Sequence, residues 1–371
     1  MDLLFVSCPH PFEPVLQKEL SALGIKDTRP GFCGVYVPKT MDAVYKINYG
    51  SRIAMRVLWP LVHFACPDKE ALYKAASSIC WNEYLQNEQT FAIDANVDHP
   101  LINNSHFAAL VVKDAICDFF REKEGSRPSV DIKSPDVQLN LFIQKERATL
   151  YLDTSLIPLY KRGWRQKNTE ATLHETLAAG LLSLSRYNPE RVVLCDPFCG
   201  SGTFLIEAAM MATKTPAGYF RKKWGFSSMP LFKQEDWDRC KEESNRLITP
   251  LAKGRIFGAD KDPQAIALCK EYLQSTGFAS CVEVSCSDVS DLYPKIPPSF
   301  IIANLPYGKR LRIPMDMYES LASFLKNRCT PTAEAHILCA DVRPLQALPK
   351  DVRRSFSFKN GGLPVTFASL H

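Results

Sequence analysis

Two short polar clusters, about one hundred residues apart, carry the chemistry legible in this 371-residue chain. The first is Asp196-Pro197-Phe198-Cys199-Gly200-Ser201-Gly202-Thr203, which follows the apolar run at 192–195 and precedes Phe204-Leu205-Ile206-Glu207. Strand, glycine turn and helix in that order expose main-chain N–H groups and a helix N-terminus, a setting that favours a carboxylate or phosphate, while Asp196 at the strand tip can accept from a ligand amine or a held water. A glycine turn alone is weak evidence, so its company matters. The second cluster, Asn304-Leu305-Pro306-Tyr307-Gly308, follows the apolar run at 300–303. An amine on an aromatic base is a poor nucleophile because its lone pair is delocalised into the ring. Hydrogen bonds from its two hydrogens to the Asn304 side-chain oxygen and the Leu305 carbonyl would aim that lone pair at an electrophile and disperse the positive charge that develops. Tyr307 offers a flat face on which an extruded base can stack.

Two acids lie between these clusters, each at the end of a further apolar run. Asp260, after 256–259, is placed to hold both hydroxyls of a ribose, and Asp288, after 282–285, to accept from the exocyclic amine of adenine. The first of these lies about sixty residues past Asp196. A dinucleotide fingerprint places its acid roughly 20 residues on, so the insertion at 213–250 disfavours a nicotinamide enzyme. Alone, either acid reads as a helix cap or a turn residue; in series they are better explained by one adenosine ligand. Cys199 invites a nucleophilic reading of the kind used at carbon 5 of pyrimidines, but it lies in the cofactor turn and reads as small packing. Glu207, one turn into the helix, reads as packing or capping.

The elements that must position these residues follow from periodicity. From Leu173 onward, helical patterns alternate with short apolar strands at 192–195, 256–259, 282–285, 300–303 and 336–339, which predicts an α/β doubly wound parallel sheet. The front half reads as α+β. Strands are predicted at 2–8, 35–37, near 54–65, 90–95, 129–132, 137–144 and 148–153, and helices at 14–24, from Thr40, near 69–85 and at 105–122. Thr40 is expected to cap its helix and Gly125 to end the long one. Between the halves, Leu159 to Lys167 is basic and aromatic with a central glycine, and reads as a hinge.

The composition is that of a globular protein, 46% hydrophobic and 23% charged. No apolar run approaches the roughly 18 residues of a membrane span, and Met1 to Val6 lacks the pattern of a secretory signal, so a cytoplasmic protein with reduced thiols and no membrane is expected. The thirteen cysteines form no C-x-x-C pair and the seven histidines are scattered, so no metal is expected. The net charge of +5 is concentrated: residues 301–371 hold ten Lys and Arg against five Asp and Glu. Basic residues interleave with aromatics around Trp164, in Arg221-Lys222-Lys223-Trp224 and just past Tyr307, a texture that suits the phosphates and unpaired bases of RNA.

On residues 196–203 with Glu207-Ala208-Ala209, and on 304–308, the chain resembles the S-adenosylmethionine-dependent methyltransferases of the Rossmann-like class. More narrowly, it is similar to the THUMP-containing RNA methyltransferases that modify guanosine N2 in large-subunit ribosomal RNA. The likeness extends over Leu173-His174-Glu175-Thr176-Leu177, Lys161-Arg162-Gly163-Trp164-Arg165, Lys113-Asp114-Ala115 and Val130-Asp131. Two departures stand out: His174 occupies a position where the family has arginine, and Leu156-Ile157 replaces a glycine-acid turn. The resemblance implies a ferredoxin-like region at 1–52, a THUMP domain at 53–158, a linker at 159–172 and a Rossmann-like methyltransferase domain at 173–371. It implies S-adenosylmethionine as cofactor, held by Asp196, Pro197, Phe198, Cys199, Gly200, Ser201, Gly202 and Thr203. Glu175 is expected near the methionine part, and Asp260, Lys261, Asp288 and Val289 around the nucleoside. Asn304, Leu305, Pro306 and Tyr307 form the implied catalytic set. Lys113, Lys161, Arg162, Arg165, Lys309, Arg310 and Arg312 form the expected RNA-binding set of a monomeric enzyme. Two other readings stay open on the residues alone: the same turn would serve a guanine in tRNA or an amine of adenine or cytosine in RNA or DNA, and the chain could be a non-catalytic RNA-binding or assembly protein on a cofactor fold.

Overall fold

The computed structural model describes residues 3–165, 173–306 and 315–371, which divide into two compact units. The first comprises Met1–Lys161 and Phe220–Glu243, the second Arg162–Tyr219 and Ser244–His371.

In the first unit the chain runs β1 (Leu3–Ser7), α1 (Glu13–Ala22), β2 (Arg29–Gly31), β3 (Gly34–Pro38), α2 (Met41–Gly50) and β4 (Arg56–Ala65). It continues through α3 (Lys69–Ser77), β5 (Thr90–Asp98), α4 (Ser105–Glu124), β6 (Ser129–Val130), β7 (Val137–Gln144) and β8 (Arg147–Asp153). All eight strands form one sheet, ordered β2-β3-β1-β4-β8-β7-β5-β6. The Thr40 hydroxyl accepts from the Ala43 amide, 3.1 Å, and so caps α2 as the sequence predicts. Gly125 ends α4 in the left-handed region at φ +72°. α3 stops at Ser77 instead of continuing to 85: the Trp81 indole N–H donates to the Ala76 carbonyl, 2.9 Å, and turns the chain into a short 3₁₀ segment at Trp81–Glu83. β6 also stops short, at Val130, because the Asp131 carboxylate accepts from the Lys133 and Ser134 amides and bends the chain out of the sheet.

The insertion predicted between the first two strands of the second half belongs in large part to the first unit. Trp224, Phe226 and Trp237 pack edge-on or tilted against Tyr45 and Tyr49 of α2, with the Phe226 and Trp237 ring centroids 4.9 Å apart and Tyr49 and Trp237 5.4 Å apart. The Arg221 guanidinium donates to four main-chain carbonyls, those of Ser155, Ile157, Pro158 and Lys161, at 2.8–3.1 Å. Arg221, expected on an RNA face, is instead a buried staple.

The second unit begins with α5 (Glu175–Leu184), β9 (Leu194–Asp196) and α6 (Thr203–Ala212). After the inserted segment, whose helix α7 (Gln234–Asn245) lies mostly in the first unit, the second unit resumes with β10 (Ile256–Asp260), α8 (Pro263–Thr276), β11 (Val282–Cys286), β12 (Phe300–Asn304), α9 (Met315–Asn327) and β13 (Glu334–Cys339). It ends with β14 (Val352–Asn360) and β15 (Leu363–Leu370). The sheet order is β11-β10-β9-β12-β13-β15-β14, parallel from β11 to β13 and antiparallel at β15 and β14. This is the doubly wound arrangement that the alternation predicts, and the strand order reverses at β9, the point where such sheets open a crevice. The final hairpin goes beyond the sequence reading. β12, α9 and β13 bury Ile301, Ala303, Tyr318, Leu321, Phe324 and Ile337 in one core, which seats α9 against the end of β12.

Candidate active site

Because β9, β10, β11 and β12 are parallel neighbours, their carboxyl ends open on one edge of the second unit's sheet. A cavity of about 500 Å³ lies there. Residues 196–201 and Thr203 line it together with Asp260, Lys261, Asp288, Val289, Asn304 and Pro306, so the two predicted clusters share one mouth. Leu173, Phe204, Ser287, Asp316, Met317 and Ser320 complete the wall, and none of these was among the expected site residues. Asp316, Met317 and Ser320 come from the start of α9, whose approach to β12 is a packing outcome with no motif to announce it.

The loop after β9 is held rigidly. The Phe198 amide donates to the Asp196 carboxylate, 3.1 Å, and the Cys199 amide to the Ala259 carbonyl, 2.8 Å. The Gly200 amide donates to the second oxygen of Asp260, 2.9 Å, while the other oxygen accepts from the Asp262 amide, 2.9 Å. Asp260 therefore ties the loop to β10 while standing in the cavity wall. Gly202 adopts φ +85°, and a Cβ there would sit 2.5 Å from the Cys269 Sγ, so both backbone and neighbour require glycine. Gly202 caps α6 without a side-chain hydrogen bond, which leaves the first amides of the helix to other acceptors. Asp288 accepts from the Ser290 amide and hydroxyl, both 3.1 Å, and presents its acid at the end of β11.

Burial sets the charge states. It pushes the Asp196 carboxyl well above the usual carboxylate range, and the negative charge of Asp260 adds to the rise. The Cys199 thiol is held well above the ordinary thiol range, first by its hydrogen bond with Cys269 and then by burial, so it stays protonated and is no nucleophile. Burial lowers the His174 imidazole, and the Arg165 guanidinium lowers it further. It stands neutral where the resemblance leads one to expect a charged arginine.

At the end of β12, the Leu305 amide donates to the Leu338 carbonyl, 2.9 Å, fixing the turn to β13, and the Leu305 side chain is fully buried. The Asn304 Oδ1 is buried with no hydrogen-bond partner among the described residues, and Asn304 faces the cavity. Such an atom marks a place where a donor belongs. Tyr307, Lys309, Arg310 and Arg312 lie outside the described residues.

Four residues expected at the cofactor or RNA are placed differently. Glu175 and Gly202 stand behind the cavity wall: Glu175 is buried against Arg165, their Oε1 and Nε 3.0 Å apart, and Gly202 turns toward Cys269. Arg162 and Arg165 do not face outward toward RNA. The Arg162 side chain is 1% exposed and chelates Glu207 through Nε and Nη2 at 3.0 and 3.3 Å, and Arg165 spans Glu175, Ser201 and Thr203. Residues 162–165 are thus built into the second unit and do not form a free hinge; Trp164, 2% exposed, packs edge-on against Tyr272. Glu207 is the packing residue expected, with a charge partner the sequence did not disclose. Lys161 is exposed, and Lys113 is half-buried and paired with Asp114. Among the described residues no group of three or more His, Cys, Asp and Glu is placed to hold a metal, and no helix is long and apolar enough to cross a membrane.

Comparison with known proteins agrees with this arrangement. Residues 3–58 match the RlmL ferredoxin-like domain, 66–153 the THUMP domain and 162–367 the RMKL-like methyltransferase domain. The chain is 32% identical over 369 residues to the ribosomal RNA large subunit methyltransferase K/L of Shewanella frigidimarina, covering 98% of this chain and 52% of that protein. The chain thus spans about half the length of such relatives. It is 31% identical over 365 residues to a protein of Synechocystis sp. named as a candidate RNA methyltransferase, covering 98% and 94% of the two chains. Among solved structures, a methyltransferase-like protein complexed with SAH superposes with a TM-score of 0.87 at 24% identity, covering 100% of this chain and 98% of the other. A protein of Listeria monocytogenes named for N6-adenine-specific DNA methylation superposes with a TM-score of 0.85 at 23% identity over 99% and 95%. Both likenesses establish the fold. With the methyltransferase match spanning more than half its length, the chain belongs to the RMKL-like methyltransferase family.

Proposed function

We propose that this chain transfers a methyl group from S-adenosylmethionine to the exocyclic N2 of a guanosine in large-subunit ribosomal RNA. The observation that carries the reading is the buried Oδ1 of Asn304, without a partner among the described residues, on a residue that lines the same cavity as the Asp196–Gly200 loop, with the rRNA methyltransferase relatives supplying the substrate class.

When bound, S-adenosylmethionine supplies an electrophilic methyl on a sulfonium. The cavity fits such a ligand. The open amides at the start of α6 and the hydroxyls of Ser201 and Thr203 suit its carboxylate, Asp260 and Lys261 lie at the β10 end where a ribose would sit, and Asp288 and Val289 suit the adenine amine and ring. Asn304 Oδ1 and the Leu305 carbonyl accept the two hydrogens of the guanine amine. That pair of contacts turns the nitrogen lone pair away from the ring and spreads the charge that grows as the new N–C bond forms. Pro306 stiffens the turn, and the residue after it in sequence, Tyr307, is the aromatic side chain assigned to the extruded base. The amine loses its proton to water or to the accepting oxygens once methylated, so the displacement calls on no covalent enzyme intermediate, no metal and no second copy of the chain.

In this reading the ferredoxin-like region and THUMP domain grip RNA shape, with exposed Lys161, Lys222 and Lys223 and half-buried Lys113 as phosphate contacts, joined by Lys309, Arg310 and Arg312, which follow the Asn304 turn in sequence, in the cytoplasm. The test is twofold: calorimetry with S-adenosylmethionine, and nucleoside mass spectrometry of large-subunit rRNA after incubation with the purified chain. N2-methylguanosine at one position is the expected product. N6-methyladenosine or a methylated cytosine amine would overturn the base assignment, and binding without any transfer would overturn the catalytic one.

A further inference from the structure

We propose that Arg165 is a positioning residue that aims two hydroxyls of the cofactor loop at the amino-acid carboxylate of the methyl donor. The inference rests on the cofactor reading above. Arg165 does not line the cavity; it lies behind the wall, its side chain 13% exposed. Its guanidinium spends one donor on each of three acceptors: Nε on Glu175 Oε1 at 3.0 Å, Nη1 on Ser201 Oγ at 3.1 Å and Nη2 on Thr203 Oγ1 at 3.0 Å. Two aromatic rings pack beside the group as well, with the guanidinium carbon 4.9 Å from the Trp164 ring centroid and 5.3 Å from that of Tyr272. The buried Glu175 carboxylate fixes the fork from the far side.

A hydroxyl has one hydrogen and two lone pairs. Once Ser201 and Thr203 each accept from a cation, the hydrogen of each is the group left to donate, and acceptance from a charged donor strengthens it in that role. Both residues line the cavity. Thr203 is the first residue of α6, and the cap of that helix, Gly202, contributes no side-chain hydrogen bond, so the helix N-terminus and the two hydroxyls converge on the same anion. Lysine cannot substitute: a single ammonium does not span three acceptors held in a planar fork.

The experiment is calorimetry on the intact chain and its Arg165→Lys variant with two ligands, S-adenosylmethionine and 5′-methylthioadenosine, which shares the nucleoside but has no amino-acid carboxylate. The expected result is a loss of tenfold or more in affinity for S-adenosylmethionine with methylthioadenosine affinity unchanged within twofold, and a matching rise in KM with kcat at saturation changed less than threefold. Equal weakening of both ligands, or of neither, overturns the inference, since a merely structural role would not distinguish them. Failure of the unaltered chain to bind either ligand would instead overturn the cofactor reading. Should Arg165→Lys fail to fold, the double variant Arg165→Met, Glu175→Gln removes the buried charge pair together and is held to the same ligand contrast.

Discussion

Replacing Asn304 with alanine separates a catalytic contact from a structural one by the sign of its effect on stability. In the folded chain the Asn304 Oδ1 is buried without a hydrogen-bond partner among the described residues, and a buried acceptor left unsatisfied costs about 1–3 kcal/mol relative to its solvated state. Truncation removes that oxygen, so Asn304→Ala should leave stability unchanged within about 1 kcal/mol or raise it. A gain of 1 kcal/mol shifts the melting temperature by roughly 2–4 °C in units of this size. Turnover moves the other way. If Oδ1 accepts the guanine amine only as charge develops on it, its loss should cut kcat by about two to four powers of ten. Affinity for S-adenosylmethionine, whose proposed contacts come from the ends of β9, β10 and β11 and not from Asn304, should change less than about threefold. Thermal melting, calorimetry and methyl transfer at saturating cofactor check the three numbers. A variant that melts lower and loses cofactor in step with activity would show Asn304 to be a packing residue and would refute the assignment.

Three further outcomes follow from buried groups around the same cavity. Arg162→Met strands the fully buried Glu207 carboxylate and should cost about 3–5 kcal/mol in denaturant melts; adding Glu207→Leu should recover most of the loss, and no recovery would mean that the pair is not what Arg162 contributes. Gly202→Ala meets a left-handed φ, costing about 1–2 kcal/mol, and the Cys269 Sγ 2.5 Å from its new methyl; Cys269→Ala should restore the second part and not the first, as read by thermal melting, and a double variant no better than the single one would count against the clash. Asp196 has its folded-state pKa raised by burial, so above its ordinary value of 3.8 the folded chain holds a proton that the unfolded chain has released. Stability contributed by this group is therefore lost as pH rises from that value through the raised one, and Asp196→Asn, which cannot ionise, should flatten the decline and be the more stable chain at neutral pH in urea melts. A parallel pH profile in the two chains would show that Asp196 is not the group responsible.

What the sequence by itself determined is local. Helical and strand periodicity set the doubly wound second half, Thr40 and Gly125 set helix ends, and two strand-end clusters held the residue types that an adenosyl ligand and an aromatic amine require. Each depends on groups a few residues apart, and the parallel sheet does the rest, since it delivers the ends of β9 to β12 to one edge whatever their spacing in the chain. Contacts between distant segments were settled only by tertiary packing. Arg162 and Arg165 read as solvated cations because nothing within several residues neutralises them; their partners, Glu207, Glu175, Ser201 and Thr203, come from α5, α6 and the loop between β9 and α6. The insertion's Trp224, Phe226 and Trp237 found Tyr45 and Tyr49 across nearly the whole of the first unit's sequence, and Asp316 and Ser320 reached the cavity only because α9 buries its apolar face on β12. A buried charge or aromatic ring is indistinguishable in sequence from an exposed one, because its environment is made by residues that only the folded chain brings near.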